Sequence, residues 1–222
     1  MNPFLLQPVP TGDASLKLES LSGDVPNKKW RDSSINGNDG NWTGGKFGSP
    51  DNINQVLGNT APGPWYWDGS LFGASGSVKQ YIDTDSATTL QRHDVPWTFT
   101  AWIARDSTDP PPAGDVCYVS TRGRVVTKGW SLRNLNTGLG PLDVDVFNNT
   151  GNGFLLDIFP TNSDDIWYLH ALTWQPGDPG TLTSYVNGAQ YKSVAVNLAN
   201  QWTTASGEGD RLGAANYSIC GS

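Results

Sequence analysis

Asp143 and Asp145 stand two places apart in the run Leu142 to Phe147, LDVDVF. Alternation along a strand puts residues i and i+2 on one face, so the two carboxylates share a side. Paired carboxylates are the groups that cleave glycosidic bonds, held about 5–5.5 Å apart in retaining enzymes. The rest of such a set is thin here. The only glutamates, Glu19 and Glu208, lie far from this strand in sequence. Two solvated aspartates on the polar face of a strand, with Leu142, Val144 and Val146 inward, explain the pattern better. No catalytic residue is assigned and no enzyme is expected. Other chemistries find less support. His93 and His170 are the only histidines, and His170 sits inside an apolar strand as a hydrogen-bonded core residue rather than a base. There is no G-x-S-x-G, no Cys/His spacing that suits zinc, and no complete phosphate-loop motif.

Two further groups of residues have binding chemistry. Asp32 to Gly45 is rich in Gly and Asn. Such a loop offers carboxylate and carbonyl oxygens, the ligands Ca2+ prefers, with Asp32, Asn36 and Asp39 as the candidate set. The same residue types supply left-handed turns and side-chain-to-backbone bonds with no metal at all, and both readings stand. The chain also holds 10 Trp, whose flat rings suit stacking against sugars or packing in a core. Trp97, Trp102, Trp167 and Trp174 lie in core-like strands and read as packing. Trp30, Trp42 and Trp202 lie in polar or loop contexts. They are candidate glycan-binding residues, or caps on the ends of the fold.

The elements that position these groups are strands. Ile166 to Trp174 carries aromatic and apolar residues in both parities, which predicts cover on both faces. Gln175 to Gly180 holds two Pro and two Gly and must turn. Thr181 to Val186 is a second strand, Asn187-Gly188 is a two-residue hairpin turn, and Ala189 to Val196 returns. Upstream, Trp97 to Arg105, Val116 to Val126, Gly129 to Leu135, Leu142 to Phe147 and Gly153 to Phe159 read as strands, and Ser15 to Leu21 as the first. Turn signals about every 8 to 12 residues predict an all-β, antiparallel two-sheet β-sandwich.

The landmarks also resemble the laminin-G-like branch of the concanavalin A-like lectin/glucanase superfamily, a jelly roll. Trp167, Ala171, Leu172, Thr173, Leu182, Tyr185, Val186, Asn187 and Gly188 fall on its run W-H-H-V-A-L-T-Y, glycine turn, L-x-L-Y-V-N-G, whereas Leu169 and His170 depart from it. Asp32 to Gly40 resembles its D-S-S-G-N-G-N-D-G, broken only at Ile35. Gly45-Lys46-Phe47-Gly48 looks like G-K-F-G, and Trp67-Asp68-Gly69 like F-D-G. The resemblance implies a calcium at the first of these loops in some members. It also implies that hydrolases of the superfamily use a motif like E-x-D-x-x-E, which Asp143-x-Asp145-x-x-Asn148 fails to complete. Arg211-Leu212-Gly213 looks like the start of the last landmark, and the closing strand that should follow is absent or altered, which predicts an open sheet edge.

At 222 residues the chain suits one sandwich domain, residues 14–222, behind an N-terminal arm, residues 1–13, whose Phe4, Leu5 and Leu6 are candidates for docking on another chain. A net charge of −7 argues against nucleic acid and against anionic membranes. No apolar run approaches the ~20 residues of a spanning helix. The first residues lack the basic start of a signal peptide, which predicts assembly in a host cytoplasm. Cys117 and Cys220 read as free thiols, with a bridge between them left open. The sequence therefore predicts a non-catalytic module, structural, adhesive or decorating, on an assembled particle such as a bacteriophage virion, attached to the head or tail. Its expected partners are other virion proteins, further copies of itself as a homo-oligomer, and a cell-surface glycan. The alternative is a soluble carbohydrate-binding lectin, and behind it a glycoside hydrolase.

Overall fold

The computed structural model describes residues 18–24, 29–32, 34, 37, 39–43, 46–48, 66–68, 81–84, 94–103, 116–120, 129–134, 142–147, 153–161, 163, 166–197 and 211–212. Among them every regular element is a strand. In chain order these are β1 (Leu18–Asp24), β2 (Lys29–Asp32), β3 (Gly40–Thr43), β4 (Lys46–Gly48), β5 (Tyr66–Asp68), β6 (Tyr81–Thr84), β7 (Trp97–Ile103), β8 (Val116–Ser120), β9 (Gly129–Asn134), β10 (Leu142–Phe147), β11 (Gly153–Asp157), β12 (Tyr168–Gln175), β13 (Gly180–Val186), β14 (Ala189–Val196) and β15 (Arg211–Leu212). They form a nine-stranded sheet, β1-β2-β3-β6-β15-β8-β9-β10-β11, a four-stranded sheet, β14-β13-β12-β7, and the pair β4-β5. All pairings are antiparallel, as the alternating patterns require. The all-β antiparallel sandwich expected from the sequence is what the chain adopts.

Register sorts the side chains by polarity. Across the nine-stranded sheet, Trp42, Ile82, Leu212, Val119, Leu132, Val144 and Leu156 are successive partners in one row. Leu132 and Val144 are fully buried there, and Leu156 packs on the core. One residue along, the row reads Lys29, Asn41, Asp83, Arg211, Ser120, Ser131 and Asp145 before it ends at Leu155 on β11. A strand's period of two makes this separation automatic once one row is apolar.

The core lies between the two large sheets. Trp97 of β7 stacks on Trp130 of β9 with ring centroids 5.1 Å apart and planes within 10°, and Phe99 meets Trp130 edge-on at 6.0 Å. Leu172, Trp174, Leu182 and Val196 complete the four-stranded sheet's share. At one end of that sheet the Trp174 ring lies directly over Gly180. A Cβ at Gly180 would come within 2.0 Å of the ring. Glycine is required here by contact, not by backbone angle. The β13–β14 turn is as expected: Asn187 and Gly188 have φ of 50° and 84°, the signature of a type I′ hairpin. Asn187 also donates its N–H to the Leu169 carbonyl at 2.8 Å and accepts from the Leu169 N–H through Oδ1 at 3.0 Å, which ties the turn to β12.

Two expectations change. Asp32 to Gly45 is not one loop, because β3 occupies Gly40–Thr43. Arg211 and Leu212 form β15, which pairs with β6 on one side and β8 on the other, while the stretch beyond them, where the closing strand was expected to be absent or altered, lies outside the described residues. The outer face of β12 is only half-covered: Leu169, Ala171 and Thr173 are partly exposed while His170, Leu172 and Trp174 are buried. Apolar residues in both parities indicated two covered faces, but the strands beside β12 put hydroxyls on the outer one.

The Trp174–Gly180 contact gives a direct test. Gly180→Ala should lower the unfolding free energy by about 1–3 kcal/mol through overpacking, read from urea denaturation. A variant as stable as the parent would mean that the Trp174 ring yields without cost.

Candidate functional site

The open face of the four-stranded sheet is the most distinctive surface among the described residues. On β7 it carries Thr98, Thr100 and Trp102, whose inward neighbours Trp97, Phe99 and Ile103 belong to the core. Across the sheet one register row runs Thr98, Thr173, Thr183 and Ser193. Thr183 and Ser193 share a hydrogen bond at 3.0 Å between their hydroxyls, and the Thr173 hydroxyl donates to the Thr183 carbonyl at 3.4 Å. The next row runs Thr100, Ala171, Tyr185 and Gln190. Trp102 pairs with Leu169 at the far end. Trp102 and Tyr185 are partly exposed. A bulge opposite Ser184 and Tyr185 adds Tyr191 as an extra residue on β14, 52% exposed.

None of these residues is charged, in a chain where 16% of residues are. Lys192 is the one formal charge on the four strands at neutral pH. It reaches off this face to the Asp157 backbone carbonyl, with the Asp157 carboxylate 3.9 Å away. Beside it the Ser184 hydroxyl donates to the Ile158 carbonyl at 2.5 Å. The two bonds clamp β13 and β14 to the segment leaving β11.

The turn between β2 and β3 holds the second candidate site. Asp32 closes on itself as an Asx turn, its carboxylate accepting from the Ser34 N–H at 2.8 Å and the Ser34 hydroxyl at 2.7 Å. Asp39 accepts from the Asp32 N–H at 3.1 Å and from Arg31 Nη1 at 2.6 Å, with Lys29 Nζ 3.8 Å away. Burial pushes the Asp39 carboxyl up, but the Asp32 N–H, the Arg31 hydrogen bond and the Arg31 and Lys29 charges outweigh it and hold the group below its ordinary value. Gly37 supplies φ of 64° at the turn. Arg31 and Lys29 would compete with a cation for Asp39. No group of three or more His, Cys, Asp or Glu comes together among the described residues. Asn36 lies outside them.

The hydrolytic candidates are placed differently from their sequence reading. Asp143 is not solvated but 5% exposed, although it does sit on the parity opposite Leu142 and Val144. The register sets Arg133 on one side of it and Asp157 on the other, a neighbourhood invisible along the strand itself. Asp145 falls in the polar row of the nine-stranded sheet. His170 is fully buried, edge-on to Phe159 at 5.1 Å and to Tyr168 at 6.2 Å. Burial pushes its imidazole down to about 4, against the pull of a hydrogen bond with the Tyr168 backbone. It is a neutral core residue.

Trp30 and Trp42 lie within β2 and β3, not in loops, and the register puts Trp42 in the row of Leu132 and Val144. Trp202, Phe4, Leu5, Leu6 and Cys220 lie outside the described residues. Trp97, Trp167 and Trp174 are buried as expected. Trp102 was grouped with them and instead lies on the open face. Its parity, opposite to Trp97 along WTFTAWI and alike to Thr98 and Thr100, was the signal that could have found it.

Comparison with known proteins bears on the fold. The family model described as concanavalin A-like lectin/glucanases superfamily matches residues 75–219. Among solved structures, the binding domain of Paraclostridial Mosquitocidal Protein 1 matches at 13% identity and TM-score 0.59, covering 91% of this chain and 45% of that one. The botulinum neurotoxin serotype C1 binding domain matches at 11% identity and TM-score 0.50, covering 87% and 44%. An endo-beta-1,4-glucuronan lyase from the fungus Trichoderma reesei matches at 15% identity and TM-score 0.49, covering 78% and 76%. The chain thus spans less than half the length of the toxin binding domains it matches. No curated protein matches it.

Two outcomes test these placements. His170 has a lower proton affinity folded than unfolded. Its stabilising share is therefore complete above pH ~6.5 and is lost as pH falls toward about 4, roughly 3 kcal/mol in all. Urea midpoints for His170→Leu should fall less steeply between pH 7 and 4 than the parent's; equal slopes would exclude this role. For the β2–β3 turn, EDTA should leave the melting temperature unchanged. A rise on adding calcium would show that residues beyond Asp32 and Asp39 complete a site.

Proposed function

Because the chain belongs to the concanavalin A-like lectin/glucanases superfamily, we propose that it is a non-catalytic binding module that holds a glycan-bearing surface against a larger assembly. The observation that carries this is the open face of the four-stranded sheet, where exposed hydroxyls and partly exposed aromatic rings lie together without a charge. Hydroxyl and aromatic groups are what a saccharide meets in a binding site, the ring face against its C–H surface and the hydroxyls against its own. Hydrolysis finds less support. Asp143 is buried and His170 is neutral within the core, so neither is poised to exchange protons with a substrate. The binding domains among the fold neighbours agree with a binding role.

The assembly we propose is a bacteriophage virion, with the chain as a homo-oligomeric decoration or tail-associated protein docked by Phe4, Leu5 and Leu6. An acidic chain with an apolar arm suits attachment to protein better than to nucleic acid.

A glycan array run beside a mass measurement in solution separates the readings. We expect glycan binding by an oligomer, no release of reducing sugar from β-glucan, and weaker particle attachment after removal of residues 1–12. A strict monomer that binds free glycan tightly would favour the soluble lectin, and reducing-sugar release abolished by Asp145→Ala would replace both with a hydrolase.

A further inference from the structure

We propose that the open face of the four-stranded sheet takes a neutral polysaccharide chain lying flat across the strands, rather than a sugar end group held in a pocket. This rests on the binding-module reading above and names the ligand class for that site.

The argument begins with charge. The protein carries a net charge of −7, yet the rows through Thr98 and Thr100 cross all four strands without a formal charge. The single lysine of these strands is drawn away to Asp157. A face meant for an anionic polymer needs cations at the contact, because the whole chain repels it. A face meant for a cationic partner would carry carboxylates. This face carries neither, so its ligand is uncharged.

Shape supplies the next step. Neighbouring strands are about 4.8 Å apart, and residues i and i+2 about 6.8 Å. Trp102 on β7 and Tyr185 on β13 are separated by two strands and one row, about 12 Å between Cα positions. One sugar ring cannot touch both, whereas an extended chain can. The Thr100–Ala171–Tyr185 row borders that line, and the Thr98–Thr173–Thr183–Ser193 row repeats hydroxyls beside it on every strand. A polymer with hydroxyls on its edges and C–H groups on its faces matches such a surface row by row. Small Ala171 between the aromatic positions leaves room for the chain to lie down.

The test is retention of the purified full chain on microcrystalline cellulose and on chitin, with soluble cello-oligosaccharides and polygalacturonate as comparison probes. We expect retention on at least one neutral solid, little on polygalacturonate, and no loss between low and high salt, since no ion pair is used. Trp102→Ala should weaken retention about tenfold, as expected for an aromatic anchor. Thr100→Lys places a charge at an exposed position where folding is not at stake, and should weaken it as well, with an unchanged melting curve. Retention that both variants leave intact, or that salt abolishes, would overturn the assignment to this face. Binding of a soluble glycan with no retention on either solid would overturn the flat-polymer inference and leave the binding-module reading standing. No binding to any glycan or solid would overturn both.

Discussion

The stack of Trp97 on Trp130 is the contact from which the rest of the sandwich follows. It joins β7 of the four-stranded sheet to β9 of the nine-stranded sheet at 5.1 Å, near the closest approach of two rings. Once Trp97 points inward, the period of two sends Phe99 and Ile103 inward with it and turns Thr98, Thr100 and Trp102 outward. The antiparallel register then transmits that choice to β12, β13 and β14. The composition of the open face is therefore not independent of the core. Each outward threonine is the neighbour of an inward aromatic or aliphatic residue.

The same packing disposes of the titratable groups. His170 is placed among Phe159, Tyr168 and the core, where an imidazolium would be desolvated. Asp39 is satisfied by Arg31 and the Asp32 N–H, and Lys192 by the Asp157 carbonyl. These groups hold turns and sheet edges together. Proton transfer needs a group with access to substrate and a proton affinity near the working pH. Among the described residues the accessible chemistry of the four-stranded sheet is hydroxyl, amide and aromatic surface.

Much of this was legible in the chain itself. LDVDVF and AQYKSVAV gave their strands to the residue, and Asn187-Gly188 gave its turn, because these signals are local. What failed was non-local. The burial of Asp143 depends on strands that lie beside it only after folding. The strand at Gly40–Thr43 was hidden by glycine and asparagine, poor strand formers that a pairing partner on each side overrides. Trp102 was misjudged for a different reason. Tryptophan is so often buried that its identity outweighed its parity, although parity was the better guide.

The register rows of the two sheets also differ in composition. The second row of the nine-stranded sheet holds Lys29, Asp83, Arg211 and Asp145 together with Asn41, Ser120 and Ser131, and ends at Leu155. The rows of the four-stranded sheet hold none of these charges. Charged residues keep a face solvated and resist close contact with an uncharged surface, since each must be desolvated on approach. Threonine and serine lose far less, because a partner's hydroxyls replace their water. The register rows of the four-stranded sheet therefore carry the lower desolvation cost. The asymmetry arises from sequence alternation alone and needs no pocket to enforce it.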